Sequence, residues 1–258
     1  MMEITFSQNT IEYLLLILVR VASFVYAAPF FSHRSFPARV KMAFSLWLTV
    51  VLFYSMPEAN VEYATVIDYA AIIIKESIVG LMIGFSAYIY STIVAFSGKI
   101  MDMEIGLSMA QIFDPSTNTQ SGLTGSLYSY LIMLLLVVSN MQIFLLNALV
   151  DSYSVIPING MKINFSMYPT VIGFITDYFL VGFRIALPIF ACILMLNCVL
   201  GVMAKVAPQM NMFAVGMQMK IMVGFVVLFL TISLLPSVAN FIFTEMKKLM
   251  VLFIEGMY

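Results

Sequence analysis

Of the chain's 258 residues, 62% are hydrophobic and only 10% charged, against roughly 45–50% and about 25% in soluble domains, so the chain is of the membrane class. Twelve Lys and Arg against 13 Asp and Glu leave a formal net charge of −1, and no basic surface argues for a nucleic-acid partner. A single histidine, His33, excludes a multi-histidine metal site, and Cys192 and Cys198 sit in an apolar run, where they are expected as small buried hydrophobes. No nucleophile elbow, zinc-protease motif, Walker loop or dinucleotide fingerprint occurs, so nothing nominates an enzyme, a metal or a cofactor.

The N-terminal residues include Glu3 and Glu12 but no Lys or Arg before Arg20. That is the wrong charge for a secretory leader, so Ile11 onward is expected to be retained as a membrane segment. Segment one, Ile11 to Phe31, would be about 31 Å long as a helix, just enough to span a hydrocarbon core of about 30 Å. Arg20 falls in its middle, where arginine costs roughly 2.5–3.5 kcal/mol on insertion scales. Two readings stand: an inter-subunit or pore-facing contact, and a snorkelling or locally paired side chain. Pro29 and Pro37 then bracket a stiff turn through Ser32, His33 and Arg34.

Segment two, Met42 to Met56, reaches only about 22 Å and must tilt little, extend through Arg39 or lie outside the lipid. Segment three, Ala70 to Phe96, carries Glu76, Gly80 and Gly84 at four-residue spacing, the small-residue pattern that lets helix backbones approach. The stretch from Gly98 to Gly122 continues the theme. Gly98, Asp102, Gly106, Ala110 and Asp114 form one stripe of small and acidic groups on a helix expected to run through Ala110. Asp114-Pro115 and the polar run to Ser121 follow as a mobile tip.

Segment four covers Leu123 to Leu149. Segment five, Val171 to Val206, would be about 54 Å long if straight, and must break, extend beyond the lipid or double back. Pro188 offers a break, and Asp177 and Arg184, close to one helical face, offer a charge pair like those of transporter helices. A buried structural pair is the other reading. Segment six, Phe213 to Val238, repeats the four-residue spacing in Gly216, Lys220 and Gly224, and the tail Phe241 to Ile254 reads as an amphipathic helix at an interface or docked on a partner. Alternating the loops puts Arg34, Arg39, Lys41, Lys99, Lys205 and Lys220 on one side and Lys162, Lys247 and Lys248 on the other. This favours an outside N-terminus.

Several blocks together resemble the FliR family of the bacterial flagellar export gate and its injectisome counterparts. They are Arg20, Pro29, Pro37 and Arg39; Glu76, Gly80 and Gly84; Gly98, Asp102, Gly106, Asp114 and Pro115; Arg184 and Pro188; Ala207 to Asn211 with Phe213; and Gly216 with Lys220. The resemblance implies an all-α polytopic protein with broken and overlong helices. It implies a single domain over 1–258, built for a hetero-oligomeric helical pore with FliP and FliQ that docks FlhB. It places the protein in the bacterial inner membrane at the flagellar basal body, partly raised toward the periplasm and in contact with membrane lipid. It further implies a non-catalytic subunit passing unfolded flagellar proteins, with about residues 105–120 as a plug that includes Gly106, Met109, Ile112, Phe113, Asp114, Pro115, Ser116, Thr117 and Asn118. Arg20, Glu76, Gly80, Gly84, Gly98, Asp102, Arg184, Pro188, Pro208, Gln209, Asn211 and Lys220 are implied in packing and assembly. The alternatives are the equivalent injectisome subunit and a small-solute secondary transporter working at Asp177, Arg184 and Pro188.

Overall fold

The computed structural model describes residues 8–33, 36–56, 63–109, 122–162, 167–209 and 211–258. Every regular element among them is helical, which suits an apolar chain whose backbone must satisfy its own N–H and C=O groups away from water. In order these are α1 (Gln8–Ala27), α2 (Ala38–Ser55), α3 (Val66–Ile105), α4 (Leu123–Val138), α5 (Met141–Val155), α6 (Met167–Val206), α7 (Met212–Thr231) and α8 (Leu235–Gly256). A 3-10 turn, Ile232–Leu234, joins α7 to α8. Among the described residues five stretches are long and apolar enough to cross a membrane, Asn9–Ala27, Ala38–Ser55, Val66–Ile105, Val171–Val206 and Met212–Gly256, and Leu123–Val138 with Met141–Val155, bent by 68°, passes the same test as a pair.

The chain divides into two compact units, one of Met1–Ile89, Asn140–Gly173 and Thr244–Tyr258, the other of Tyr90–Ser139 and Phe174–Phe243. In the first, α1 buries Leu16, Ile17, Val21 and Phe24 completely. The N-terminal part of α3 lies against α1 through Gly80 and Gly84. A Cβ at Gly80 would overlap Ser23 Oγ and the Arg20 carbonyl, and one at Gly84 would meet Ala27 Cβ at 2.7 Å and the Phe24 carbonyl at 2.9 Å. The small-residue stripe therefore does what its spacing implied. The C-terminal tail is docked through buried Met246, Leu249, Met250 and Phe253, with Lys247 Nζ 4.7 Å from the Phe144 ring centroid.

In the second unit, the C-terminal part of α3 packs on α4 where Gly98 faces the backbone of Gly125 with no room for a side chain. Phe96 meets Tyr178, Phe179 and Phe183 of α6 at centroid distances of 5.6, 5.5 and 6.1 Å. Gly182 gives way to the same Phe96 ring, and Gly224 of α7 to the Ile105 side chain.

Several element boundaries differ from the sequence reading. Segment two is a full α2 of 18 residues because it begins straight after Pro37, which occupies the N-cap position with extended backbone. Segment three does not stop at Phe96; α3 runs on to Ile105. The central stripe is expected to stay helical through Ala110. Instead α3 ends at Ile105, where Gly106 adopts φ of 91°, the left-handed geometry that terminates helices. Ser108 and Met109 are helical again, and Ala110 lies outside the described residues. Segment four splits into α4 and α5 at Asn140, whose φ is 54°. Asparagine is one of the few side chains that tolerates this region. Pro188, by contrast, does not break its segment: α6 is helical for 40 residues around it, so extra length is absorbed by a helix of about 60 Å. The cysteines are not buried as expected, since Cys192 is half-buried and Cys198 exposed.

Glycine substitutions separate close approach from mere helix content. Gly80→Val and Gly98→Val are each expected to destabilise by about 1–3 kcal/mol through overpacking. Gly173→Ala, whose added Cβ meets nothing within 4 Å, is expected to be neutral or stabilising by up to about 1 kcal/mol. Thermal unfolding in detergent reads the difference; a Gly80→Val protein as stable as Gly173→Ala would contradict the packing account.

Candidate functional site

Two groups of sequence-predicted residues come together, one in each unit. In the first unit Arg20 is completely buried, as is Glu76. Arg20 Nε donates to Glu76 Oε2 at 2.6 Å, and Nη1 donates to the Ile156 carbonyl at 3.0 Å. The guanidinium carbon lies 4.2 Å from the Tyr153 ring centroid, a cation–π contact that gains from burial. Arg20 is thus locally paired, which decides between the two readings of its position. Glu76 Oε1 in turn accepts the Asn159 N–H at 3.0 Å. Asn159 sits at φ 65° in a turn closed by Gly160 N–H to the Pro157 carbonyl at 2.7 Å, the position of a type II turn that favours Gly or Asn. Lys75 Nζ reaches the Asn159 amide oxygen at 3.1 Å.

Ser152, whose carbonyl accepts from Arg20 Nη1 at 3.4 Å, Tyr153 and Asn159 are not singled out by the sequence. Pro157 and Gly160 are residues that favour a turn, but nothing in the sequence ties that turn to a carboxylate 83 residues away. Arg20 and Glu76 were both singled out, though not as partners.

In the second unit, the central stretch forms a clamp. Asp102 is only 3% exposed, and its two carboxylate oxygens each accept the Thr124 N–H at 3.2 Å. Thr124 lies in the first turn of α4, so Asp102 supplies from another helix the acceptor and negative charge that an N-cap residue would give. Gly122 precedes α4 and must be glycine-sized, because a Cβ there would fall on the Asp102 carboxylate. Gly98, Asp102, Gly122 and Gly125 therefore make one joint.

Beside this joint opens a cavity of about 840 Å³ lined by Lys99, Asp102, Gly106, Met109, Gly122 and Lys220, together with Met103, Leu200, Met212, Phe213 and Met217. Met109 and Gly122, the described residues on either side of 110–121, both line it. Ile112, Phe113, Asp114, Pro115, Ser116, Thr117 and Asn118 lie outside the described residues. Asn211 caps α7, its side-chain oxygen accepting the Ala214 N–H at 3.3 Å. Pro208 and Gln209 are exposed on the connection before it.

Asp177 and Arg184 do not come together. Both are exposed on α6, and the ion pairs among the described residues are Arg20–Glu76 and Lys248–Glu245. Pro188 is exposed on an unbroken helix, so the pair-and-break constellation that a transporter would use is not assembled. Among the described residues no group of His, Cys, Asp and Glu is arranged to hold a metal ion.

The family model for bacterial export proteins, family 1, matches residues 11–246. The flagellar biosynthetic protein FliR of Bacillus subtilis strain 168 is 28% identical over 236 residues, covering 89% of this chain and 90% of the relative. The FliR of Escherichia coli K12 is 29% identical over 238 residues, with 90% and 89% covered. That of Aquifex aeolicus VF5 is 26% identical over 254 residues, with 97% and 96% covered.

Removing one partner of a buried ion pair strands the other charge. Arg20→Ala is therefore expected to cost about 3–5 kcal/mol, and joint replacement, Arg20→Met with Glu76→Leu, distinctly less than the sum of the two single changes. Melting temperature and yield of assembled protein in mild detergent report this. Additive losses would mean that the two side chains do not act as a pair.

Proposed function

The chain belongs to the bacterial export proteins, family 1, and from that membership we propose that it is a gate subunit of the flagellar export apparatus in which residues 105–120 form a pore plug. The coarser statement, an integral membrane component of the flagellar export apparatus, follows from the family match and the several apolar helices long enough to cross a membrane. The finer reading adds that the whole of 1–258 acts as one FliR-like export-gate domain, without catalysis of its own. In this reading it joins FliP, FliQ and FlhB in the inner membrane at the flagellar basal body, parts of it raised toward the periplasm, and passes unfolded flagellar proteins.

The observation that carries the plug reading is the joint at Gly98, Asp102, Gly122 and Gly125. It holds the residues on both sides of 110–121 at one cavity, Met109 and Gly122 each lining the wall. A segment pinned at both ends can occlude an opening and yield without losing its anchorage. Closing and opening are then two populations of the same anchored segment, shifted by entering substrate. Methionines suit the surroundings: Met103, Met109, Met212 and Met217 line the cavity, and unbranched, soft side chains re-pack around a chain of any sequence. Gly106, at positive φ with open space around it, gives the chain its turn out of α3.

Deleting residues 110–120 tests the plug. The expected outcome is an assembled gate that leaks ions and small molecules across the inner membrane. An unchanged leak in a gate that still assembles would sink the assignment.

A further inference from the structure

Among the described residues, the cavity beside the Asp102 joint holds two lysines that no carboxylate pairs with. Lys99 on α3 and Lys220 on α7 both line it, and neither makes an ion pair or hydrogen bond among the described residues. The carboxylate in the lining, Asp102, is 3% exposed and directed at the Thr124 N–H, so it does not serve them. Both lysines stand on helices that are long and apolar enough to cross a membrane. Each is near a helix end: Lys99 is about 9 Å along the axis from Ile105, and Lys220 about 12 Å from Met212. A lysine's stem can lie along apolar surroundings while its ammonium reaches a polar headgroup.

Apart from Ser108 and Asn197, the bulky side chains of the remaining walls are apolar, Met103, Ile105, Leu200, Met212, Phe213 and Met217 among them. A free phosphate would leave that surface unused. The volume, about 840 Å³, lies in the range that takes a drug-sized molecule and is far larger than a bare anion needs. We propose that the cavity binds an anionic phospholipid, its phosphodiester between the Lys99 and Lys220 ammonium groups and its glycerol and upper acyl chain along Met103, Leu200, Met212 and Phe213. Basic pockets between membrane helices hold acidic headgroups by this charge complementarity, and lysine serves as a compact point charge for phosphate. Asn197, exposed on α6 and also in the lining, is available to the headgroup or ester oxygens. The proposal goes beyond the plug reading and does not depend on it.

The test uses the full chain in its purified assembly, re-lipidated with phosphatidylglycerol or phosphatidylcholine, with retained lipid counted by mass spectrometry after washing. Phosphatidylglycerol should be retained preferentially, and each of Lys99→Gln and Lys220→Gln should lower its retention about fivefold, while Lys162→Gln leaves it unchanged. Excess inorganic phosphate should not displace it. Equal retention of phosphatidylcholine, full retention by the double variant, or displacement by phosphate would each overturn the proposal. Because the variants could fail to assemble, a photoreactive phosphatidylglycerol is also applied to the unaltered assembly. Adducts are expected on the peptides carrying Met103 and Met212; adducts confined to other helices, or a partner polypeptide cross-linked at those peptides instead, would overturn it.

Discussion

A buried arginine in a membrane helix must be answered by the rest of the fold, and here the answer is Glu76. The pair at 2.6 Å is completely excluded from solvent, so its attraction is set against a desolvation cost of several kcal/mol per ion. Such a pair persists only when further groups satisfy the charges. The Ile156 carbonyl and the Tyr153 ring do so for part of Arg20, whose Nη2 is buried without a hydrogen-bond partner among the described residues, and the Asn159 N–H does so for Glu76. The glycines complete the logic: Gly80 and Gly84 let α3 approach α1 closely enough for the pair to form. One ion pair thus fixes α1, the first part of α3 and the turn after α5.

The same helix uses the device a second time with different chemistry. At its far end Gly98 takes the place of Gly80 and Asp102 that of Glu76, but the carboxylate faces a helix N-terminus instead of a guanidinium. A helix N-terminus carries about half a positive charge and unsatisfied N–H groups, so it is a weaker and more exchangeable partner than arginine. That difference suits the proposed roles. The Arg20 pair is a permanent staple, whereas the Asp102 joint anchors a stretch proposed to move.

Much of this was legible because packing stripes obey helix periodicity. Four-residue spacing of Glu76, Gly80 and Gly84, and of Gly98 and Asp102, announced two close approaches, and both exist. The partners were not legible, since nothing in a sequence pairs Arg20 with a carboxylate 56 positions away. Asn140 was missed because hydropathy does not register one residue's φ within an apolar run. Pro188 was over-read: losing one N–H is compatible with a helix that continues on both sides, and neighbouring Ala186, Ile189 and Ile193 are buried. Asp177 and Arg184 share a helical face as their spacing requires, yet both are exposed and unpaired, because spacing cannot say what a face will meet. Residues 110–121 lie outside the described residues, so the reading of Asp114 to Asn118 rests on family membership and on the joint that holds their flanks.

The account's central claim is that the stretch anchored by Asp102 carries a segment lying in the path of exported protein. A photoreactive amino acid placed at Asn118, in an assembled gate holding a stalled flagellar substrate, tests this most directly. The account predicts a cross-link from position 118 to the substrate polypeptide that disappears when no substrate is engaged. Cross-links only to lipid or to neighbouring gate subunits, with substrate demonstrably stalled, would contradict it.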